Sequence, residues 1–156
     1  MTRHYGAHRS DFSLDARVNL VIAGTFSAAE YVNAQRIRTR AMAAFNRAFA
    51  GVDAILTPAT AQVAPRINPA AQPFGESDLG MTTEVMRFAF ASNFTGHPAI
   101  SFPAGYDSRG LPIGLQAIGR PWGERLLFRV AAAAESLVER RAPARWYSPL
   151  GEPNQS

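Results

Sequence analysis

The chain has 156 residues, is 47% hydrophobic, carries sixteen basic against twelve acidic side chains for a formal charge of +4, and contains no cysteine. That length suits one compact core and not two ordinary domains, and the missing cysteine removes disulfides, thiolate metal sites and a cysteine nucleophile, as fits the reducing cytoplasm. Every basic residue is an arginine, and only Arg36, Arg38 and Arg40 lie close together, so the sequence offers neither the clustered charge of a nucleic-acid surface nor a lysine base.

Near the start, His4 and His8 are four apart, as two ligands on one helix face would be, but Gly6 between them argues against a helix, so they read as surface histidines and no metal site is expected. From Leu14 to Ala23 apolar residues alternate with Asp15, Arg17 and Asn19, which predicts a partly buried helix ending near Gly24. The apolar run Val18 to Phe26 is soon broken by Glu30, Asn33 and Gln35, well short of the roughly 20 residues of a membrane span. Ser27 with Glu30 three positions later forms a capping box that opens a long helix to about Ala50. Its apolar stripe would be Tyr31, Ala34, Ile37, Ala41, Phe45, Ala48 and Phe49, with Arg36 and Arg40 sharing another face and Arg38 pointing elsewhere.

Residues 53–57 read as a strand buried on both faces and closed by Pro58, followed by a long proline-containing loop to Gly80. A helix over 81–93 with Thr82 or Thr83 as its cap, two strands over 99–103 and 112–118 joined by a turn at Tyr106 to Gly110, and a last helix over 123–140 stopped by Pro143 complete the reading. That last helix has the stripe Leu127, Val130, Ala134, Leu137 and Val138. Strand, helix and strand in the order 53, 81, 99 imply a parallel crossover, and the following hairpin makes the sheet mixed. The expectation is an α/β fold, a mixed sheet flanked by helices, with residues 1–156 as a single unit.

The spacing of Thr57-Pro58, the Asn93-x-x-Gly96-x-Pro98 turn, Gly110-Leu111-Pro112-x-Gly114-Leu115-Gln116 and Gly119-Arg120-Pro121-Trp122 resembles the carboxy-terminal part of the amidase-signature family. Gly75-Glu76-Ser77, Thr82-Thr83, Met86-Arg87-Phe88, Gly105-Tyr106-Asp107 and Ser27 to Tyr31 are similar to its plant-type fatty acid amide hydrolase branch. Resemblance to the glutamine-using glutamyl-tRNA amidotransferases of the family is weaker, because the closest acids to Met86, Asp78 and Glu84, stand at the wrong register to engage glutamine.

What the resemblance implies is an amide hydrolase whose Ser-cisSer-Lys triad lies in a Gly/Ser-rich portion missing from these residues. The chain by itself is expected to be inactive, with no catalytic residue and no cofactor. By position, Ile22, Phe26, Thr82 and Met86 would line the acyl pocket for a hydrophobic amide substrate, while Asn93 and Gly96 shape the turn beneath it. Asn93-Phe94-Thr95 is a glycosylation sequon read as unused because of an interior position, and His97 is read as a spacer. The expected partners are the missing amino-terminal amidase portion or a second copy of the chain. The rival function is a non-catalytic binding or assembly module derived from such an enzyme.

Overall fold

A computed structural model describes residues 2–66 and 78–141; the Gly75-Glu76-Ser77 motif, the Pro143 stop and the polar end lie outside them. In chain order these residues form α1 (Thr2–Ala7), α2 (Leu14–Thr25), α3 (Ala28–Ala48), β1 (Ala54–Pro58), α4 (Leu79–Met86), α5 (Ala89–Thr95), β2 (Ala99–Tyr106), β3 (Pro112–Gly119) and α6 (Glu124–Glu135). Strands interleaved with helices give the α/β composition that the sequence predicts.

The sheet has the order β1-β3-β2. β2 and β3 form the expected antiparallel hairpin, with Phe102 opposite Leu115 and Ile100 opposite Ala117. β1 also pairs antiparallel with β3, setting Thr57 opposite Gln116 and Ile55 opposite Ile118. β1 and β2 therefore run in the same direction, as the crossover reading requires, but β3 lies between them and every ladder among the described residues is antiparallel. The hairpin turn is compatible with β3 on either side of β2, and only the long-range pairing with β1 selects this one.

Strand periodicity explains the two faces. Ala54, Ile100, Phe102, Leu115 and Ala117 meet α6 through Leu127, Val130, Ala131 and Ala134, and this is the main hydrophobic core. Gly119 sits where a Cβ would come within 3.1 Å of Leu127 Cγ, so any larger residue would require Leu127 to shift. Gln116 and Ile118 are buried on the opposite face. β1 is not buried on both faces as expected: Leu56 is exposed and Pro58 occupies the strand end, a position open to proline only at a sheet edge.

The capping box opens α3 as read, with the Glu30 amide donating to Ser27 Oγ and the Ser27 amide donating to Glu30 Oε2 at 2.7 Å. Those bonds hold the Glu30 carboxyl below the ordinary carboxylate range, the Ser27 backbone amide contributing most. Along the α3 stripe Ala34, Ala41 and Phe45 are half-buried and Phe49 is buried, while Tyr31, Ile37 and Ala48 are exposed.

Three helix readings change. The predicted single helix over 81–93 is two, broken at Arg87 and Phe88, and its cap is Asp78, whose Oδ1 accepts from the Met81 amide at 2.9 Å, not Thr82 or Thr83. α6 ends at Glu135, leaving Leu137 exposed beyond it. Gly6 lies inside α1, where His4 and His8 come to a ring separation of 4.6 Å, and among the described residues no third histidine or carboxylate completes a ligand group with them.

Candidate functional site

α2 and α4 carry the four residues assigned to an acyl pocket. Ile22 is 44% exposed in the last turns of α2 and lines a groove of about 250 Å³ between α1 and α2. Phe26, the residue that ends α2, is 64% exposed, and Met86, the last residue of α4, is 37% exposed. Thr82 is exposed in the first turn of α4. Three apolar side chains among the four are therefore open and do not belong to the packed core. Packing between elements is concentrated where α6 meets the sheet and where α5 meets α3, so the Ile22–Phe26 pair and the Thr82–Met86 pair are not brought together by this chain's own core.

Behind α4 lies a polar layer that sequence reading passed over. Among the described residues the buried polar side chains are Ser92, Thr95, His97 and Gln116, all on α5, its closing turn, or β3. Gln116, 6% exposed, donates from Nε2 to Thr57 Oγ1 and to the Phe88 carbonyl, both at 3.3 Å. It thereby ties β3 to β1 and to the break between α4 and α5. Two of the motifs noted in the sequence, Thr57-Pro58 and the one ending in Gln116, are thus joined by one side-chain hydrogen bond.

His97 is not a spacer. It is 5% exposed, and its ring lies 5.5 Å from Phe49, stacked, and 5.1 Å from Phe45. Thr95 Oγ1 donates to the Ala91 carbonyl at 2.7 Å, so its lone pair accepts from His97 Nδ1–H at 2.8 Å. That assigns the neutral ring its proton at Nδ1 and leaves Nε2 a buried acceptor without a partner. Burial holds the His97 pKa below the ordinary 6.5. The local signal in the sequence is limited to a histidine flanked by Gly96 and Pro98, two residues after the threonine whose hydroxyl orients it.

The turn carrying Asn93 and Gly96 is held from α3. Gly96 closes α5 at φ 76°, a left-handed conformation that costs glycine little, and Arg38 Nε donates to the Phe94 carbonyl at 2.8 Å. Arg38 thus points away from Arg36 and Arg40, as expected, and for a structural purpose. Arg120 does the same at the end of β3, donating to the Phe49 and Val52 carbonyls. Asn93 is exposed, contrary to the interior position expected of it, while Thr95 of the sequon is buried. Trp122, 94% exposed, has φ 63° in the turn that leads into α6, an unusual backbone angle for so bulky a residue.

An antiparallel hairpin ending in Gly119-Arg120-Pro121-Trp122, a Thr-Pro strand hydrogen-bonded to its glutamine and a Gly96 turn above them define a recognisable framework. The model of the Amidase family matches residues 2–128, and the chain belongs to that family. It is 50% identical over 141 residues to a fatty acid amide hydrolase of Medicago truncatula, a match covering 89% of this chain and 23% of the relative. It is 42% identical over 134 residues to a glutamyl-tRNA(Gln) amidotransferase component of a Chelativorans species, covering 81% of the chain and 25% of the relative. In three dimensions it is similar to a bacterial aryl acylamidase of the amidase signature enzymes, with a TM-score of 0.66 and 28% identity, covering 85% of this chain and 28% of that one. The chain thus spans about a quarter of the length of the curated relatives it matches.

Proposed function

We propose that residues 1–156 form one unit that gives an amidase-signature hydrolase its sheet edge, outer helices and one wall of an acyl cleft, for cleavage of carbon–nitrogen bonds in fatty or other hydrophobic amides. The observation that carries this reading is that Ile22, Phe26 and Met86 are apolar and open instead of being packed into the core. A cleft for an acyl chain needs such a wall with few polar groups, and Met adapts to varied ligand shapes. The higher identity to a fatty acid amide hydrolase than to an amidotransferase supports the substrate class. So does the fate of the two acids nearest Met86: Asp78 is spent as the α4 cap and Glu84 pairs with Arg87, so neither is free to receive glutamine.

The chain's chemical contribution is binding. With no lysine in the sequence, the base and its serines would come from the protein beyond this portion, as would the oxyanion donors. Holding the acyl chain excludes water from it and fixes the carbonyl before attack. No cofactor is called for. Such an assembly fits the cytoplasm, consistent with the cysteine-free composition. Among the described residues, no helix is long and apolar enough to cross a membrane.

Phe26→Ala and Met86→Ala in an enzyme completed with the missing portion test the proposal. Losing a buried aromatic or thioether contact should lower kcat/KM for long-chain amides about tenfold and leave short-chain amides nearly unchanged. Equal losses for both would make the two residues packing elements. A completed assembly that turns over no amide at all would favour the rival reading, a binding or assembly module.

A further inference from the structure

The groove between α1 and α2 is lined by apolar side chains together with two arginines and a tyrosine. Leu14, Val18, Val21 and Ile22 recur at helical spacing along α2 and form the wall of its roughly 250 Å³, while Tyr5, Arg9 and Arg17 complete the lining. Among the described residues, three buried side-chain polar atoms have no hydrogen-bond partner: His97 Nε2, the Tyr5 hydroxyl and Arg17 Nε. Two of the three thus belong to side chains on one groove. Both of those are donors, and a buried donor left unmade costs its full desolvation, so the arrangement lacks an acceptor. Among the described lining residues there is no carboxylate, and Asp11, the acid next to α1, is engaged by Ser10 and His8. Arg9 stands 5.9 Å above the Tyr5 ring, adding a second positive charge to the lining.

We propose that this groove binds the carboxylate of an alkyl acid, with the chain along α2 and the head group on Arg17 and Tyr5. A guanidinium offers Nε–H and a terminal N–H as a parallel fork that matches a carboxylate's two oxygens, and the phenol hydroxyl supplies a third donor. An amide or alcohol head group brings no charge to the arginines. A bare anion leaves the four apolar side chains uncovered. The ligand is therefore an anionic amphiphile, of the class that hydrolysis of a fatty amide releases. The proposal deepens the acyl-wall reading and rests on it only for that link to the reaction.

Calorimetric titration of the chain with decanoate, butanoate and decanol, below micelle-forming concentrations, tests it without turnover. Decanoate should bind at least about tenfold more tightly than either decanol or butanoate, and Arg17→Gln should weaken decanoate about tenfold while leaving decanol unchanged. Should Arg17→Gln fail to fold by circular dichroism, Tyr5→Phe, which keeps the ring, carries the same expectation for decanoate alone. Equal decanoate binding by wild type and the folded variants, parity of decanoate with decanol or butanoate, or no decanoate binding overturns the proposal. In the last case the groove is a protein-contact surface. Each of these failures leaves the chain-length test of Phe26 and Met86 standing, so the two readings fall separately.

Discussion

His97 shows how far one residue's role depends on its surroundings. With Nδ1–H given to Thr95 and both Phe45 and Phe49 against the ring, the neutral form is the one the fold accommodates. The charged groups that reach this region are cations: Arg38, whose Nη2 lies 3.4 Å from a Cβ built on Gly96, and Arg120, bonded to the Phe49 carbonyl. Because the folded pKa lies below the ordinary 6.5, the unfolded chain binds more protons at mildly acid pH. The contribution of neutral His97 is therefore complete above that pH and is lost as pH falls from there through the folded value. Denaturant titrations at pH 7.5 and 5.0 should show wild type losing stability toward acid, and His97→Leu losing less. The same substitution should be close to neutral at pH 7.5, since it removes an unsatisfied acceptor together with its donor. Identical pH slopes would assign the titration to another group. Ile22, Phe26 and Met86 are assigned to a pocket wall by the family resemblance, and their openness is what the fold adds to that assignment. The burial of His97 and Gln116 could not be read from the sequence, because the residues that enclose them come from distant parts of the chain.

Among the elements, local chemistry set the start of α3 better than the break after α4 or the end of α6. The Ser27–Glu30 box is self-contained within one turn, so α3 begins where the sequence places it. Ser27→Ala removes the oxygen that accepts from the Glu30 amide and should cost about 1 kcal/mol of stability, measured by thermal unfolding, with faster amide exchange confined to the first turn of α3. A uniform rise in exchange across the chain would mean that the box supports the whole fold. The break at Arg87 and Phe88 carries no glycine or proline to announce it. At the break, Gln116, from a strand 28 residues onward, hydrogen-bonds the Phe88 carbonyl. α6 likewise stops at Glu135, short of the predicted 140, because the sheet that holds Leu127 and Ala131 gives Leu137 nothing to pack against.

For the whole molecule, burial is unbalanced. Among the described residues seventeen large hydrophobic side chains are exposed, against six buried hydrophobic residues, whereas a self-sufficient domain hides most of its large apolar groups. β1 adds an edge whose outer side is unpaired among the described residues. Both features fit a chain that spans about a quarter of its relatives' length. The expected behaviour is self-association, or dependence on the remaining amidase portion supplied in trans. Analytical ultracentrifugation at low micromolar concentration should show dimers or larger species, together with binding of an apolar dye. A monomer that excludes the dye would mean that these residues stand alone as a domain.

The sequence by itself determined the α/β class, the long capped helix, the hairpin, the family framework and the lack of a lysine base. Each rests on residue identity or on spacing within one or two turns of chain. Tertiary structure decided that β3 lies between β1 and β2, that a helix runs through Gly6, that Leu56 leaves β1 open on one side, and that His97 and Gln116 form part of a buried layer. The strand order depends on surfaces that meet across more than 50 residues, as when Thr57 finds Gln116. Such pairings are chosen by the summed free energy of the packed whole, which no local window contains.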